Sequence, residues 1–260
     1  MTGKVIIVTG ASSGLGFEIS KYLAEGGNDV VLACRDKEKA EDAVTKIKTQ
    51  YPSALVQSME LDLCSSSSIR NFSKEFMRSK RKLNVLINNA GAFVKGKNHS
   101  PELTSEGLEC NMSSNYFGHF LLTHLLLDYL SQTATIDEES RIINITCRSH
   151  NKIGRWYQKD LESLDPNNMQ LLKMDTYTDK QAYKNSKLCS VLFTYKLADE
   201  VKAENVTPGK YYKNGRPSRS SLESYDLELQ RSLWKNSCKV TGIRGSMAAG
   251  AAFDNLSLKD

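Results

Sequence analysis

The chain has 260 residues, and 35 Lys and Arg residues against 30 Asp and Glu residues produce a formal net charge of +5 at pH 7. Hydrophobic residues make up 40% of the chain and charged residues 25%, which is typical of a globular protein and excludes a disordered one. The charges are interspersed, and the densest basic cluster is the short stretch 78–82. The mild positive charge therefore does not predict nucleic-acid binding.

Six cysteines lie singly along the chain, without a C-x-x-C pair or the Cys and His spacing of a zinc site. They predict free thiols in a reducing compartment and no metal site. No signal peptide precedes the first apolar run, and polar residues interrupt the most apolar stretch, 117–130. Because a membrane span needs about 20 mostly apolar residues, we expect a cytoplasmic protein without a transmembrane segment and leave peripheral membrane association open.

Short apolar runs alternate with amphipathic stretches through the first 200 residues. Each run predicts a buried strand and each amphipathic stretch a helix. The alternation favours an α/β fold with a doubly wound parallel sheet and with ligands at the carboxyl ends of the strands. The predicted strands are Val5–Val8, Val30–Ala33, Leu55–Leu63, Val85–Ile87 and Arg141–Ile145, and the predicted helices are Gly14–Glu25, Lys37–Gln50, Ser68–Met77, Cys110–Leu130 and Lys180–Lys202.

The turn between the first strand and the first helix reads Thr-Gly-Ala-Ser-Ser-Gly-Leu-Gly, residues 9–16. We expect Gly10 to permit the tight turn, Gly14 to let the backbone approach a pyrophosphate, and Gly16 to let the helix pack closely on the strand. The N–H groups and positive dipole end of the helix would face the phosphates. The candidate cofactor-binding residues here are Gly10, Ser12, Ser13, Gly14, Leu15 and Gly16.

The G-x-x-x-G-x-G spacing of this turn resembles the short-chain dehydrogenase/reductase superfamily. Three further motifs carry the resemblance: Asn88–Gly91 after the fourth strand, Asn115–Gly118 in the long helix, and the Tyr-x-x-x-Lys of Tyr183–Lys187. The phrase Gly118–Thr123 is most similar to retinol dehydrogenase-like members. The resemblance implies one NADP-binding Rossmann domain over residues 1–243, and the small-residue composition of 244–260 predicts a flexible tail.

The end of the second strand indicates which nicotinamide cofactor fits. Enzymes that prefer NAD usually carry an acid there, whereas this strand ends at Cys34 and is followed by Arg35, whose guanidinium suits the 2′-phosphate of NADP. Asp36 keeps NAD open as the less favoured cofactor, although it also fits a helix N-cap. By resemblance, the cofactor site further includes Asp62 and Leu63 at the adenine, where Asp62 equally fits a helix N-cap, and Asn89, Ala90, Gly91, Tyr183 and Lys187.

Tyr183 and Lys187 are the candidate catalytic pair. The resemblance implies that Tyr183 is the general acid/base, and a lysine four residues later on the same helix face lowers the pKa of the phenol by its charge. By the same resemblance, Lys187 also holds the nicotinamide ribose. Asn115 resembles the asparagine that kinks the long helix and holds a proton-relay water.

The fourth catalytic position departs from the family pattern. The serine that orients the substrate carbonyl falls on Cys147, and a thiol is a weak hydrogen-bond donor. Thr146 should point to the opposite side of the strand, and Ser149 could reach the site from an irregular turn. Cys147 is thus a candidate catalytic residue, or a small half-buried residue without a role. We interpret the helical residues His119 and His124 as structural or solvated.

The region after the Tyr/Lys helix is short for this family. The resemblance implies a sixth strand ending in a Pro-Gly turn, a substrate-covering loop and two helices, about sixty residues in all. Here Asn205–Thr207 runs directly into Pro208–Gly209, so we predict an internal deletion of the sixth strand and the substrate lid. The stretch Gly209–Tyr212 resembles the last strand of the family and Leu233–Gly242 its last helix and cap.

These features predict an NADP-dependent oxidoreductase that transfers hydride between the nicotinamide and a hydrophobic carbonyl or alcohol. The substrate class, a retinoid, steroid or lipid aldehyde, comes from the resemblance, as does a homodimer through the two long helices. The alternative is a catalytically impaired nucleotide-binding isoform, which the Cys147 departure and the predicted deletion favour.

Overall fold

The computed structural model describes residues 2–135, 139–151, 162–173, 177–201 and 209–243. Five parallel strands form one sheet in the order β3-β2-β1-β4-β5. The strands of this sheet are β1 (Val5–Thr9), β2 (Asp29–Cys34), β3 (Val56–Glu60), β4 (Val85–Asn88) and β5 (Arg141–Asn144). The helices packed on it are α1 (Gly14–Glu25), α2 (Lys37–Gln50), α3 (Ser66–Arg78), α4 (Cys110–Met112), α5 (Gly118–Thr133) and α6 (Asp179–Glu200).

The centre of the sheet is β1, which pairs with β2 on one side and with β4 on the other. Its side chains alternate between two buried faces, because successive residues of a strand point in opposite directions. Ile7 packs with α3 and α5, whereas Ile6 and Val8 pack with α1 and α2. The predicted doubly wound parallel sheet is confirmed, and its strand order places a ligand crevice at the carboxyl ends of β1 and β4.

Local capping sets the helix boundaries. Helices α1 and α2 have the predicted bounds. Asp36 begins α2, since its carboxylate accepts from the N–H of Lys39 at 3.0 Å. The start of α3 differs from the prediction, because Ser65 and not Asp62 is its N-cap, with the Ser65 Oγ accepting from the N–H of Ser68 at 3.3 Å.

The predicted long helix 110–130 is interrupted. A π-helical turn, Ser113–Phe117, separates the single turn α4 from α5 and contains Asn115. The start of α4 is held by the carboxylate of Glu109, which is 0% exposed and accepts from the N–H groups of Asn111 and Met112. The kink that the resemblance implied at Asn115 therefore takes the form of a π turn, a common feature of functional sites.

The C-terminal part does not extend the sheet. Tyr212–Lys213 (β6) pairs with Arg216–Pro217 (β7) as a two-residue hairpin, so the prediction that this stretch supplies the last strand is wrong. Asn214 and Gly215 have φ angles of 51° and 73°, the left-handed conformation that closes a tight hairpin locally. In the described part of the chain, β5 forms an edge of the sheet.

The last described helix, α7 (Leu227–Thr241), ends at Gly242 in the left-handed conformation, as the resemblance implied. Leu233 and Trp234 bury it against the apolar surfaces of α5 and α6. The junction 202–208, which carries the predicted deletion, and the predicted flexible tail 244–260 lie outside the described residues. No helix in the described ranges is long and apolar enough to cross a membrane.

Candidate active site

The glycines of the first turn differ in what surrounds them. Gly10 has φ +64°, and a Cβ at this position would lie 2.9 Å from the Cα of Ala90. Gly14 has φ +56°, with no heavy atom within 4 Å of a Cβ position. A Cβ at Gly16 would overlap the carbonyl oxygen of Gly10 and the side chain of Asn89. Gly10 and Gly16 therefore permit close backbone packing, whereas Gly14 faces open space.

The open space in front of Gly14 fits a pyrophosphate. Ser13 is the N-cap of α1, but its side chain makes no capping hydrogen bond, so it covers none of the first N–H groups of the helix. Ser13, Gly14 and Leu15 are exposed and Ser12 is half-buried. A helix N-terminus with uncapped N–H groups and a glycine in front of it is suited to bind phosphate oxygens.

After β2, an exposed cation is followed by an acid whose side chain is engaged in capping α2. Cys34 is buried, and burial raises the pKa of its thiol. Arg35 is exposed, whereas Asp36 is held by Lys39, whose ammonium lies 2.8 Å from the carboxylate and lowers the pKa of Asp36. Asp36 thus serves as a helix cap.

The residues after β3 lie at the same edge of the sheet. Asp62 does not cap α3, and its carboxylate instead accepts from the N–H of Cys64 at 2.9 Å. Leu63 is 8% exposed and packs against Gly118 of α5, where a Cβ would lie 2.7 Å from the Leu63 Cβ. The close approach of Gly118 places the backbone of residues 62–64 beside the start of α5.

The turn after β4 connects the glycine turn to Lys187, the candidate catalytic lysine. The side-chain amide of Asn89 donates to the carbonyl of Thr9 at 2.9 Å, and Ala90 faces Gly10. A Cβ on Gly91 would lie 2.8 Å from Lys187 Nζ, so the lysine reaches this turn only because Gly91 has no side chain.

Tyr183 and Lys187 lie one helical turn apart on α6. Lys187 is 5% exposed, and its Nζ lies 5.5 Å from the centroid of the Tyr183 ring. Burial lowers the pKa of Lys187, and the nearby Cys147 thiol opposes this effect. The edge of the Phe93 ring packs on Tyr183 at a centroid distance of 5.3 Å.

The side chain of Asn115 is fully engaged. Its Nδ2 donates to the carbonyl of Ala92 at 2.9 Å and to Ser186 Oγ at 3.0 Å, and its Oδ1 accepts from the N–H of Ala92 at 2.8 Å. Asn115 therefore fastens the segment after Gly91 to α6. The proton-relay water implied by the resemblance stays a prediction.

Cys147 is the side chain at the end of β5 that faces Tyr183. Its Sγ lies 3.8 Å from Tyr183 Oη, within hydrogen-bonding reach for sulfur. Thr146 points elsewhere, since its Oγ1 donates to the carbonyl of Lys187 at 3.1 Å. Ser149 lies in the 3₁₀ turn that follows Cys147. The serine position of the family is thus occupied by a thiol in space as well as in sequence.

Two aromatic residues border the site without having been predicted there. Phe93 lies on the turn after β4, and Tyr211 precedes the C-terminal hairpin, with its ring 5.0 Å from that of His150. Burial raises the pKa of Tyr211. The nearby Cys147 also raises it, whereas the charge of Arg148 lowers it. No sequence signal identified Tyr211, because the contact joins segments about 60 residues apart. The stretch after residue 208 therefore reaches the edge of the site.

Beyond Phe93 a groove of about 640 Å³ opens at the start of α6. Its lining includes Lys95, Tyr177 and Lys180. Among the described residues, no cluster of three or more His, Cys, Asp and Glu could hold a metal ion.

Comparison with known proteins defines the family. The family model described as short chain dehydrogenase matches residues 4–155, more than half of the chain, and the chain belongs to this family. Human retinol dehydrogenase 11 is 40% identical over 207 residues, 80% of this chain and 59% of that protein. The chain therefore spans well under two thirds of this relative. Human polyprenol dehydrogenase is 30% identical over 297 residues, 92% of this chain and 86% of that protein.

Solved structures share the fold. An uncharacterised protein from Mycobacterium paratuberculosis superimposes with a TM-score of 0.72 at 24% identity, covering 95% of this chain and 96% of that one. A variant of actinorhodin polyketide ketoreductase with NADPH has a TM-score of 0.59 at 23% identity, covering 80% and 70%. A 3-ketoacyl-(acyl-carrier-protein) reductase from Brucella melitensis complexed with NADH has a TM-score of 0.57 at 22% identity, covering 77% and 71%.

Proposed function

We propose that this protein is an NADP-dependent oxidoreductase that interconverts a hydrophobic carbonyl compound and its alcohol. The observation that carries the proposal is the convergence of Tyr183, Lys187 and Cys147 at the carboxyl end of the sheet, beside the Gly91 turn. The site thus has a proton donor, a cation to tune it and a group to orient a carbonyl next to the glycine-rich crevice. The retinol and polyprenol dehydrogenases among its relatives support this class of reaction.

A bound nicotinamide dinucleotide supplies or accepts the hydride. In the direction of reduction, Tyr183 Oη gives its proton to the carbonyl oxygen of the substrate as the alcohol forms. The Lys187 ammonium stabilises the phenolate that remains, because its positive charge lies over the same ring. Cys147 Sγ holds the carbonyl oxygen near Tyr183 by a weak hydrogen bond. In the direction of oxidation, Tyr183 takes the proton of the alcohol.

Replacement of Tyr183 tests the reaction. We expect oxidation of NADPH with retinal, a steroid ketone or a long-chain aldehyde in the wild-type protein. Tyr183→Phe should lower kcat by about 10²- to 10⁴-fold, since it removes the general acid. The matched control is Tyr195→Phe, which removes a phenol twelve residues further along the same helix, where it contacts Ser220 and Tyr225. Unchanged turnover in Tyr183→Phe contradicts the mechanism.

The preference for NADP rests on Arg35. It is the exposed cation at the end of β2, and Asp36 is engaged as the cap of α2. Because hydrogen bonds to a charged group contribute about 1.5–3 kcal/mol, Arg35→Ala should weaken NADPH binding roughly 10- to 100-fold. NADH binding should not change. Lys39→Ala, which removes a nearby cation, is the control, and equal loss of both dinucleotides in Arg35→Ala counts against the assignment.

The substrate class follows from the relatives and from the rings that border the site. The ring of Phe93 packs against Tyr183, and the ring of Tyr211 packs against His150, so both add aromatic surface beside the site. Such surfaces suit a retinoid, steroid or lipid chain better than a polar substrate. Comparison of kcat/KM between retinal, a steroid ketone, a long-chain aldehyde and a short polar aldehyde orders these classes.

The alternative is a nucleotide-binding isoform without turnover. The alignment with polyprenol dehydrogenase is longer than this chain, so that relative has segments for which this chain has no counterpart. We propose that these segments include the sixth strand and lid, and the transcript sequence across 207–208 tests this internal deletion. NADPH binding without reduction of any carbonyl would favour the isoform over the enzyme.

Location and assembly are further proposals. All six cysteines are unpaired, which fits the reducing cytoplasm, with peripheral membrane association as the alternative. Fractionation of cells with and without a carbonate wash separates the two. A homodimer through α5 and α6 is expected from the resemblance to the family, and light scattering measures its mass.

A further inference from the structure

A buried histidine joins the glycine turn to the catalytic residues. His119 is 5% exposed and lies in the first turn of α5, directly after the π turn. Its Nε2 lies 2.8 Å from Thr9 Oγ1, and its Nδ1 lies 3.1 Å from the main-chain oxygen of Asn115. The imidazole therefore bridges the last residue of β1 and the π turn that carries Asn115.

The partners determine where each proton lies. A carbonyl only accepts, so His119 Nδ1 carries the proton and donates to Asn115. Burial lowers the pKa of His119 to about 4, so the ring is neutral at pH 7 and Nε2 accepts. Thr9 Oγ1 accepts from the N–H groups of Asn89 and Ala90, both at 2.9 Å, and donates its own proton to Nε2. Both ring nitrogens of His119 and the hydroxyl of Thr9 are thus satisfied.

The network continues from Asn115 into α6. The Asn115 side chain holds Ala92 and donates to Ser186 Oγ at 3.0 Å. Ser186 Oγ in turn donates to the carbonyl of Tyr183 at 2.7 Å, and Lys187 follows directly in the sequence. One chain of hydrogen bonds therefore links the end of β1, the turn after β4 and the helix that carries the catalytic pair.

We propose that His119, in its neutral Nδ1–H form, is a positioning residue that keeps the catalytic pair in register with the cofactor crevice. A buried network whose members are all satisfied is rigid, and misplacement of reacting groups by about 1 Å can cost 10²-fold in rate. His119 touches neither Tyr183 nor Lys187 through a hydrogen bond and acts through Thr9 and Asn115. The effect on turnover rests on the proposed function, whereas the effect on the crevice does not.

The same helix offers a matched control. His124 is also buried, at 8% exposed, and its Nδ1 lies 2.7 Å from the carbonyl of Phe120 four residues earlier. Burial lowers its pKa to about 4 as well. Its Nε2, however, has no hydrogen-bond partner in the described part of the chain, and its ring packs against Phe120 and Trp234. The two histidines therefore differ mainly at Nε2, which is hydrogen-bonded to Thr9 in His119 and has no partner among the described residues in His124.

The experiment compares His119→Phe, His119→Asn and His124→Phe in the full-length protein, with thermal melting as the check that each variant is folded. His119→Phe should lower kcat at least about tenfold with KM for the carbonyl nearly unchanged, and should weaken NADPH binding, measured by fluorescence titration, about threefold or more. His124→Phe should leave both within about twofold. His119→Asn keeps a donor near the Nδ1 position, so its kcat should lie between those of His119→Phe and the wild-type protein.

Equal kcat and equal NADPH affinity in the two folded phenylalanine variants would overturn the inference. If His119→Phe does not fold, wild-type kcat and wild-type NADPH affinity in His119→Asn would overturn it, and a loss in both would support it. If the wild-type protein reduces no carbonyl, weaker NADPH binding in His119→Phe than in His124→Phe still supports the inference while the proposed function fails.

Discussion

The first 144 residues and the C-terminal segment 209–243 fold by different rules. In the first part, β1, β2 and β4 are short, buried apolar runs, and all five strands pair with parallel neighbours in the sheet, so periodicity predicts the elements. In the second part, a local hairpin with exposed strands lies outside the sheet, one helix packs against α5 and α6, and only α7 matches the expectation. The local sequence pattern therefore predicts a strand where both of its faces are buried. It does not predict how a C-terminal element packs, because that depends on which surface of the folded sheet and helices the element contacts.

The largest expected effect comes from truncating Trp234, the side chain that packs the C-terminal helix α7 against α5. Trp234 is 8% exposed, and its ring lies 5.4 Å from that of Phe120 and 5.0 Å from that of His124. Trp234→Ala should lower the free energy of unfolding by about 3–5 kcal/mol, as measured by urea denaturation. Leu222→Ala, at a side chain that is 87% exposed, should change it by less than about 0.5 kcal/mol. Equal effects would mean that α7 is not part of the core.

The glycine turn in the first region is tested by two glycines, Gly10 and Gly14. Both have a positive φ, but they differ in the atoms that would surround an added Cβ. Gly10→Ala should cost about 1–3 kcal/mol beyond the backbone penalty, because its Cβ would press on Ala90. Gly14→Ala should cost only the left-handed penalty of about 1–2 kcal/mol, since no heavy atom lies within 4 Å. Urea denaturation without cofactor measures both, and an equal loss would contradict the packing assigned to Gly10.

A lower pH should destabilise the protein through the two buried histidines of α5. His119 and His124 have their pKa lowered by burial from 6.5 to about 4. Between these values the unfolded chain binds protons that the folded chain does not, so stability is complete above pH 6.5 and is lost as the pH falls. The loss is up to about 1.4 kcal/mol per pH unit for each histidine. Urea denaturation at pH 7, 6 and 5 should show this decline, and it should be shallower in His124→Phe. An identical slope in that variant would contradict the assignment.

The smallest effect is expected at Cys147, which sits between the two regions. Cys147→Ser restores a stronger donor 3.8 Å from Tyr183 Oη, so it should raise kcat roughly fivefold, the equivalent of about 1 kcal/mol. Cys110→Ser, a half-buried thiol at the start of α4, should leave kcat unchanged. A decrease of kcat in Cys147→Ser would mean that the thiol has a role that a hydroxyl does not replace.

Part of the site was predictable because motif and structure coincide there. The spacing of Tyr183 and Lys187 places them one turn apart on any α-helix, and the expected alternation of side chains in the segment that follows β5 separates Cys147 from Thr146. The sequence left Asp62 open as a possible N-cap of α3, and the structure places Ser65 there, because both residue types cap helices and only the turn geometry selects one. The Asn-Gly pair at 214–215 was a hairpin signal in the sequence that the resemblance to a last strand obscured.

The sequence by itself determined the parallel sheet, the glycine turn and the residue types of the candidate catalytic pair, because these depend on periodicity and on spacing within one element. Only the tertiary structure decided that Tyr211 reaches His150, that α7 covers α5 and α6, and that His119 bridges Thr9 and Asn115. These contacts join residues far apart in the chain, or depend on which nitrogen of a ring meets which partner. Their energies arise only once the sheet and helices have brought the groups together in a buried place, where each unsatisfied polar atom is costly.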